Sequence, residues 1–297
     1  MTSEALRALS RIPLFSGHRF NRLDVERLNS LTNRAYRIIA NGESYVLRVP
    51  GEGTERHIDR RREHHNMAIA AEIGLAPEIV YFDDESGAML TRFVADSTAL
   101  TPGAITDPAI LAAAVLALRR LHRCGGQFDG ILDPFAKLNE YVANACNAQT
   151  IELPMDLAPA LAATAGLRRR LADQPRQLVP CHVDPSPENM ILRNAGGDRL
   201  VVLVDWEYSA MCDPVWDLAD FSMEAGLAAD QDQALLETYF GSAGGAQLRQ
   251  LRLFKSICYL VGAGWALMQA AVTGRTDEFM ADYAADLAAF RRMAELE

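Results

Sequence analysis

Four polar side chains between residues 182 and 205 set the chemistry open to this chain. His182, Asp184 and Asn189 stand in "VPCHVDPSPENMIL" with the spacing H-x-D-x-x-x-x-N, between two apolar segments. Asp205 closes the apolar run "RLVVLVDW", 16 residues after Asn189. Phosphoryl transfer requires this set. A carboxylate must accept the proton of an attacking hydroxyl, and oxygen ligands must hold Mg²⁺ against the charge growing on the phosphate oxygens. In that pattern Asp184 is the base, Asn189 and Asp205 are metal ligands, and His182 anchors the loop by hydrogen bonding. Taken singly the residues have plainer readings, because Asp before Pro is a common turn residue and Asp at a strand end is often a helix cap. The ordered run of strand, loop, strand, hairpin, strand and Asp favours the chemical reading.

A nucleotide site of this kind also needs a cation on the phosphates, carried by a strand and paired with a carboxylate on the following helix. The strand "YVLRV" supplies Arg48, and "RRREHHN" supplies Glu63. A guanidinium differs from an ammonium, yet it can clamp phosphate oxygens and a carboxylate together. The turn "LNSLTNRAY" carries no glycine, so Ser30, Thr32 and Asn33 are the donors it offers to phosphates. A Walker A motif is absent, which excludes a P-loop enzyme.

These residues need elements to position them. "SEALRALSRI" and "RLDVERL" read as helical turns. "NRAYRIIA" and "SYVLRVP" read as strands joined by the hairpin signal "NGE". A long helix follows with Ile58, Met67, Ile69 and Ile73 as its apolar contacts and Gly74 as its stop. "IVYFDD" and "AMLTRFV" make two further strands around "ESG". Beyond a connector near residues 92–100 the pattern is helical. Asp107 and Pro108 start a helix whose Leu111, Val115, Leu118 and His122 share one face. Two more helices are expected within 134–175, and helices again from about 214. The expected fold is α+β and bilobal, protein-kinase-like. Residues 1–94 would form a small nucleotide-binding lobe of antiparallel sheet plus helix, and 95–297 a larger helical lobe with the catalytic loop and substrate site.

Composition narrows the partners. A formal net charge of −10 argues against a surface for nucleic-acid phosphates. Five dispersed cysteines without C-x-x-C spacing suit reduced thiols in a cytoplasmic protein. The opening "MTSEALRALSRIP" lacks the apolar stretch of a signal peptide. The longest apolar run, residues 256–272, reads as a buried helix and not as a membrane span. His57, His64 and His65, and the arginine runs at 60–62 and 168–170, read as solvated helix faces.

Together "SLTNRAYRI", "YVLRVPGEGTERHIDRRREHHN", "GLAPEIVYFD", "CHVDPSPENMIL" and "LVDWEYSAMCDPVWDLADF" resemble the choline/ethanolamine kinase family, bacterial type, within the aminoglycoside-phosphotransferase and protein-kinase-like superfamily. The likeness runs from about residue 28 to 270. It implies ATP and Mg²⁺ as cofactors, with Asp184 as base and Asn189 and Asp205 as metal ligands. It also implies adenine held by the backbone around Arg92, Phe93 and Val94, and Asp217 as a brace for the catalytic loop. The family loop usually has a glycine near Ser30. Eukaryotic choline kinases carry two tryptophans where this chain has only Trp265.

A choline-like cation calls for aromatic faces and carboxylates. Trp206, Glu207, Tyr208, Trp216 and Trp265 are the candidates, with Tyr259 beside Trp265; helical-lobe core is the plainer reading for the aromatics, and for Tyr259 and Trp265 the two readings are about even. Glu207 could meet either the substrate cation or Mg²⁺. The expected activity is transfer of the γ-phosphoryl group of ATP to the hydroxyl of choline, ethanolamine or a related amino alcohol. Alternatives are an aminoglycoside- or thiamine-type phosphotransferase, or an inactive nucleotide- or cation-binding protein.

Overall fold

The computed structural model describes residues 3–18, 20, 24–28, 33–51, 58–173, 177–195 and 198–295. The chain divides into two compact units, residues 1–130 with 187–209 and residues 131–186 with 210–297.

The first unit is built on a five-stranded antiparallel sheet in the order β1-β2-β3-β5-β4. Its strands are β1 (Val25–Leu28), β2 (Arg34–Ala40), β3 (Glu43–Val49), β4 (Ile79–Phe82) and β5 (Met89–Arg92). Asn41 and Gly42 both take positive φ, 54° and 80°, between Ala40 and its partner Glu43. That is the two-residue turn whose twist matches the flanking strands, and it fixes the hairpin register. Helix α1 (Ser3–Arg11) lays Ala5 and Leu9 on the sheet, where they join Ile12, Phe15, Tyr36, Ile38, Tyr45, Leu47 and Leu90 in one core. "VERL" does not continue a helix, as expected from sequence, but forms the edge strand β1, with Val25 opposite Ile38. Pairing with β2 satisfies the backbone of so short a segment better than one helical turn could.

Helix α2 (Arg60–Glu72) starts at Asp59, whose carboxylate accepts from the backbone N–H of Arg61 and Arg62, and Gly74 follows it at φ 70°. It turns Glu63, Asn66, Met67 and Ala70 inward. The Asn66 amide donates to the Ser209 carbonyl at 2.9 Å and accepts from Asp129 N at 2.8 Å. The same unit holds a second sheet of β6 (Ser97–Ala99), β8 (Met190–Ala195) and β9 (Asp198–Leu203). Helix α3 (Pro108–His122) packs on β9, burying Leu111, Val115, Leu118 and His122 as their spacing predicts. Backbone hydrogen bonds from Leu203 N to Leu75 O and from Leu100 N to Met190 O tie these parts to the first sheet's connections. Packing therefore carries the first unit well past the boundary expected at residue 94.

The second unit is mostly helical. A two-stranded ladder of β7 (Val179–Cys181) and β10 (Ala210–Cys212) flanks α4 (Pro134–Ala148), α5 (Leu157–Ala172), α6 (Pro214–Glu224), α7 (Ala229–Phe240), α8 (Gly245–Thr273) and α9 (Thr276–Glu295). Helix α8 is the axis on which α4, α6 and α9 pack. Glycines allow the close approach: a Cβ on Gly264 would stand 2.6 Å from Leu138 Cδ1 of α4. Among the described residues α8 alone is long and apolar enough to cross a bilayer, and 67% of its apolar window is buried against protein. It serves as a core helix here.

Candidate active site

In the first unit β3 and α2 bring Arg48 and Glu63 into an ion pair. Glu63 is only 1% exposed, and its second oxygen accepts from Arg60 Nη1 at 2.8 Å. Arg60 also donates to Glu207 Oε2 at 3.1 Å and to Asn33 Oδ1 at 3.2 Å. Asn33 Nδ2 in turn donates to Glu207 Oε2 at 2.9 Å, with Asp205 Oδ1 at 3.4 Å. Arg48 Nη1 lies 3.5 Å from Asp205 Oδ1. Two guanidiniums thus serve three carboxylates. Burial alone would raise Glu63, but the charges of Arg48 and Arg60 and their hydrogen bonds hold it below the ordinary carboxylate range. Asp205 goes the other way. Burial first, then the charge of Glu207, push it up to about 7, only partly offset by Arg48 and Arg60.

The β8–β9 hairpin sets Asn189 beside Asp205. Met190 pairs with Leu203, and Val204 N donates to the Asn189 carbonyl at 2.9 Å. Asp205 takes a left-handed conformation, φ 63°, which Asp tolerates better than most residues. Asp205 offers carboxylate oxygens and Asn189 an amide oxygen, donor types that suit a hard divalent cation such as Mg²⁺. Glu207 is already committed to Arg60 and Asn33.

In the second unit the residues before Asp184 are held by α6. Asp217 accepts from the backbone N–H of His182 at 2.8 Å and of Val183 at 2.9 Å. Trp216 Nε1 donates to the Val183 carbonyl at 2.8 Å. Val183 sits at φ 77°, a conformation that a β-branched residue adopts only under constraint. Three hydrogen bonds from consecutive residues of one helix supply that constraint. Asp184 follows, half-buried.

Several expected ligand contacts are placed elsewhere. Trp206 is wholly buried, with Nε1 on the Leu203 carbonyl at 3.1 Å and its ring edge-on to Phe128, so it is a core residue and not an open aromatic face. Trp216 is likewise buried and spends its N–H on the loop. Trp265 is half-buried and meets Phe279 edge to face at 5.6 Å, while Tyr208 is half-buried. Asn33 and Glu207 Oε2 bind each other and Arg60. The N–H groups of Arg92 and Phe93 are spent on Glu78 O and Ser44 O, and Val94 O accepts from Ser97 Oγ at 2.6 Å. Adenine at this segment would be met by its other backbone groups. Ser30 and Thr32 lie outside the described residues.

Arg60 is the residue that sequence reasoning missed. The sequence pattern places it with Arg61 and Arg62 on a solvated face, yet its side chain is 10% exposed. A signal was available: Arg60 opens α2 three residues before Glu63, the spacing at which helical side chains meet.

Sheet, ion-paired helix, braced loop and helical second unit define an α+β protein-kinase-like phosphotransferase. The chain belongs to the phosphotransferase enzyme family, whose model matches residues 24–254. It is 31% identical over 212 residues to the protein LicA of Haemophilus influenzae, across 71% of this chain and 61% of that relative's length. A choline/ethanolamine kinase family protein from Mesorhizobium loti is similar in structure, with TM-score 0.84, 33% identity and coverage of 98% of this chain and 94% of that one. The choline kinase LicA from Streptococcus pneumoniae shares the fold, with TM-score 0.82 at 23% identity, covering 98% of this chain and 100% of that one.

Proposed function

We propose that this chain is an ATP- and Mg²⁺-dependent kinase that phosphorylates the hydroxyl of choline, ethanolamine or a related amino alcohol. The observation that carries the reading is the strained Val183 turn, held by Asp217 and Trp216 immediately before Asp184. Strain of this kind costs about 1–3 kcal/mol, and a loop with no task for Asp184 has no reason to retain it. The family match and the names of the similar kinases point to the same chemistry.

In this mechanism the acceptor oxygen attacks the γ-phosphorus of ATP and the bond to the bridging β-phosphate oxygen breaks, releasing ADP. Asp184 takes the hydroxyl proton as that bond forms and later gives it to water. Arg48, kept charged and oriented by Glu63, steadies the phosphate oxygens. Asn189 and Asp205 would hold Mg²⁺, which supplies positive charge to the phosphates. Asp217 and Trp216 hold the approach of Asp184 without touching substrate.

The test is product formation, followed by ³¹P NMR, from Mg-ATP and a panel of choline, ethanolamine, thiamine and kanamycin. Phosphocholine or phosphoethanolamine is the expected product, and Asp184→Ala is expected to lower kcat by about 10²–10⁴ with no loss of melting temperature. Transfer only to thiamine or kanamycin, or to none of the four, would overturn the assignment.

A further inference from the structure

Helix α2 turns a second polar residue inward one turn after Glu63, and no step of the mechanism uses it. Asn66 is wholly buried, and both ends of its amide are committed. Nδ2 donates to the Ser209 carbonyl at 2.9 Å, and to the Asp129 carbonyl and the Ser209 hydroxyl at 3.2 Å each. Oδ1 accepts from Asp129 N at 2.8 Å. The amide thus serves backbone groups of two segments that have no ladder of their own at these positions, groups that burial would otherwise leave unmet.

Ser209 passes the contact on toward Asp205. Its hydroxyl donates to the Trp206 carbonyl at 2.6 Å, and its own N–H reaches the same oxygen at 3.0 Å. Trp206 follows Asp205 in the chain, and its Nε1 donates back to the Leu203 carbonyl at 3.1 Å. Trp206 therefore ties the chain before Asp205 to the chain after it. Between those ties Asp205 keeps its left-handed backbone, φ 63°, a conformation that persists in a non-glycine residue only where the surroundings over-determine it.

Alternate residues of this segment are held in different ways. Arg48 and Asn33 approach the Asp205 carboxylate, and Arg60 and Asn33 meet that of Glu207. These contacts join side chain to side chain and leave the peptide planes free to turn. Asn66 instead grips the backbone itself, at Ser209. Arg60, Glu63 and Asn66 follow one another at intervals of three on α2, so one helix sets both the charge facing the segment and the path of its backbone.

Resting on the kinase reading above, we infer that Asn66 is a positioning residue for Asp205. Through the Ser209 hydroxyl and the Trp206 carbonyl it fixes the peptide that follows Asp205, and so aims that carboxylate at the metal. Asn66 touches neither metal nor substrate. Groups that orient a metal ligand from behind govern roughly 10–100-fold in metal affinity, and a partner acting through a further hydrogen bond belongs at the lower end.

The experiment titrates Mn²⁺, standing in for Mg²⁺, into the full chain with saturating ADP. Bound ion is read from the loss of the free Mn²⁺ EPR signal, with a protein-free ADP titration as the blank. Asn66→Ala should bind Mn²⁺ about ten-fold more weakly than the parent chain, and Ser209→Ala about three-fold more weakly. The double variant should lose less than the product of the two single losses, because both side chains act along one chain of hydrogen bonds. Urea unfolding identifies the folded variants, and a residue that only stabilised the fold would leave their metal affinity at the parent value. Folded variants with parental Mn²⁺ affinity, or single losses that simply multiply, overturn the inference and leave the kinase reading standing. Should Asn66→Ala not fold, Ser209→Ala decides alone. A parent chain that binds no Mn²⁺ with ADP overturns the kinase reading and this inference together.

Discussion

In the first unit Glu63 and Glu207 each meet a guanidinium, and Asn33 bridges Glu207 to Asp205. In the second unit the charges of Asp184, Glu224, Asp217 and Asp286 all add to the effect of burial on Asp220, and the α8 lysine, Lys255, is turned to Asp232. Both places concentrate acid, but in the first the carboxylates meet guanidiniums, whereas the charges acting on Asp220 and Asp286 are those of other carboxylates. A region that handles phosphates and a metal benefits from charges fixed in advance, because preorganised dipoles and ions need no rearrangement during reaction.

Neutralising one carboxylate in each unit should therefore change stability with opposite sign. Glu63→Gln gives the largest effect expected. It keeps the shape but leaves Arg48 and Arg60 partly uncompensated in a buried setting, a loss of about 3–5 kcal/mol in urea unfolding at pH 7. Glu63 titrates below its unfolded value, so its contribution is present above the unfolded pKa and fades as pH falls through the folded one. The difference from the parent chain should shrink in acid. A neutral or stabilising result at pH 7 would mean that the first unit is not held by its ion pairs.

The first unit's Arg48, Glu63 and Asp205 could be read from the chain, the second unit's acidic residues could not, and the limits have a physical cause. The H-x-D-x-x-x-x-N loop, Asp205, and the Arg48 and Glu63 candidates lie in short motifs whose spacing encodes their geometry. The Asn41–Gly42 hairpin and the Asp107–Pro108 helix start are equally local. The failures are of another kind. "VERL" became a strand because a partner 13 residues later pairs with it, Val25 opposite Ile38. Arg60 left solvent because Glu207, 147 residues on, is its partner. Trp206 and Trp216 went to core because the hairpin and the braced loop absorb their N–H groups. Asp220 and Asp286 sit on helices with α8 between them, and no window of sequence shows that they share a neighbourhood. Local chemistry was legible, and long-range pairing was not.

Asp286→Asn probes the other half of the contrast at intermediate size. Its folded pKa of about 7 lies above the unfolded value, so the parent chain keeps the full benefit of the protonated form below the unfolded pKa and loses it as pH rises through 7. The variant never ionises there. It should match the parent near pH 4 and exceed it by about 1–2 kcal/mol at pH 8, after allowing for partial exposure. A variant less stable than its parent at pH 8 would show that Asp286 has a counter-ion after all.

Salt should produce the smallest effect, and it separates the units without any mutation. At about 0.5 M salt the Debye length is about 4–5 Å, short enough to screen repulsion among partly exposed carboxylates but not a contact pair sealed from water. Raising NaCl to that level at pH 8 should lift the melting temperature of the parent chain by a few degrees. Asp286→Asn should gain less, because one member of the repelling set has gone. At pH 5, where Asp286 holds its proton, the lift should largely vanish. Salt that lowers the melting temperature at pH 8 would assign the dominant electrostatics to exposed ion pairs such as Arg92–Glu43 and Arg199–Asp107, and would make the second unit's carboxylates bystanders to stability.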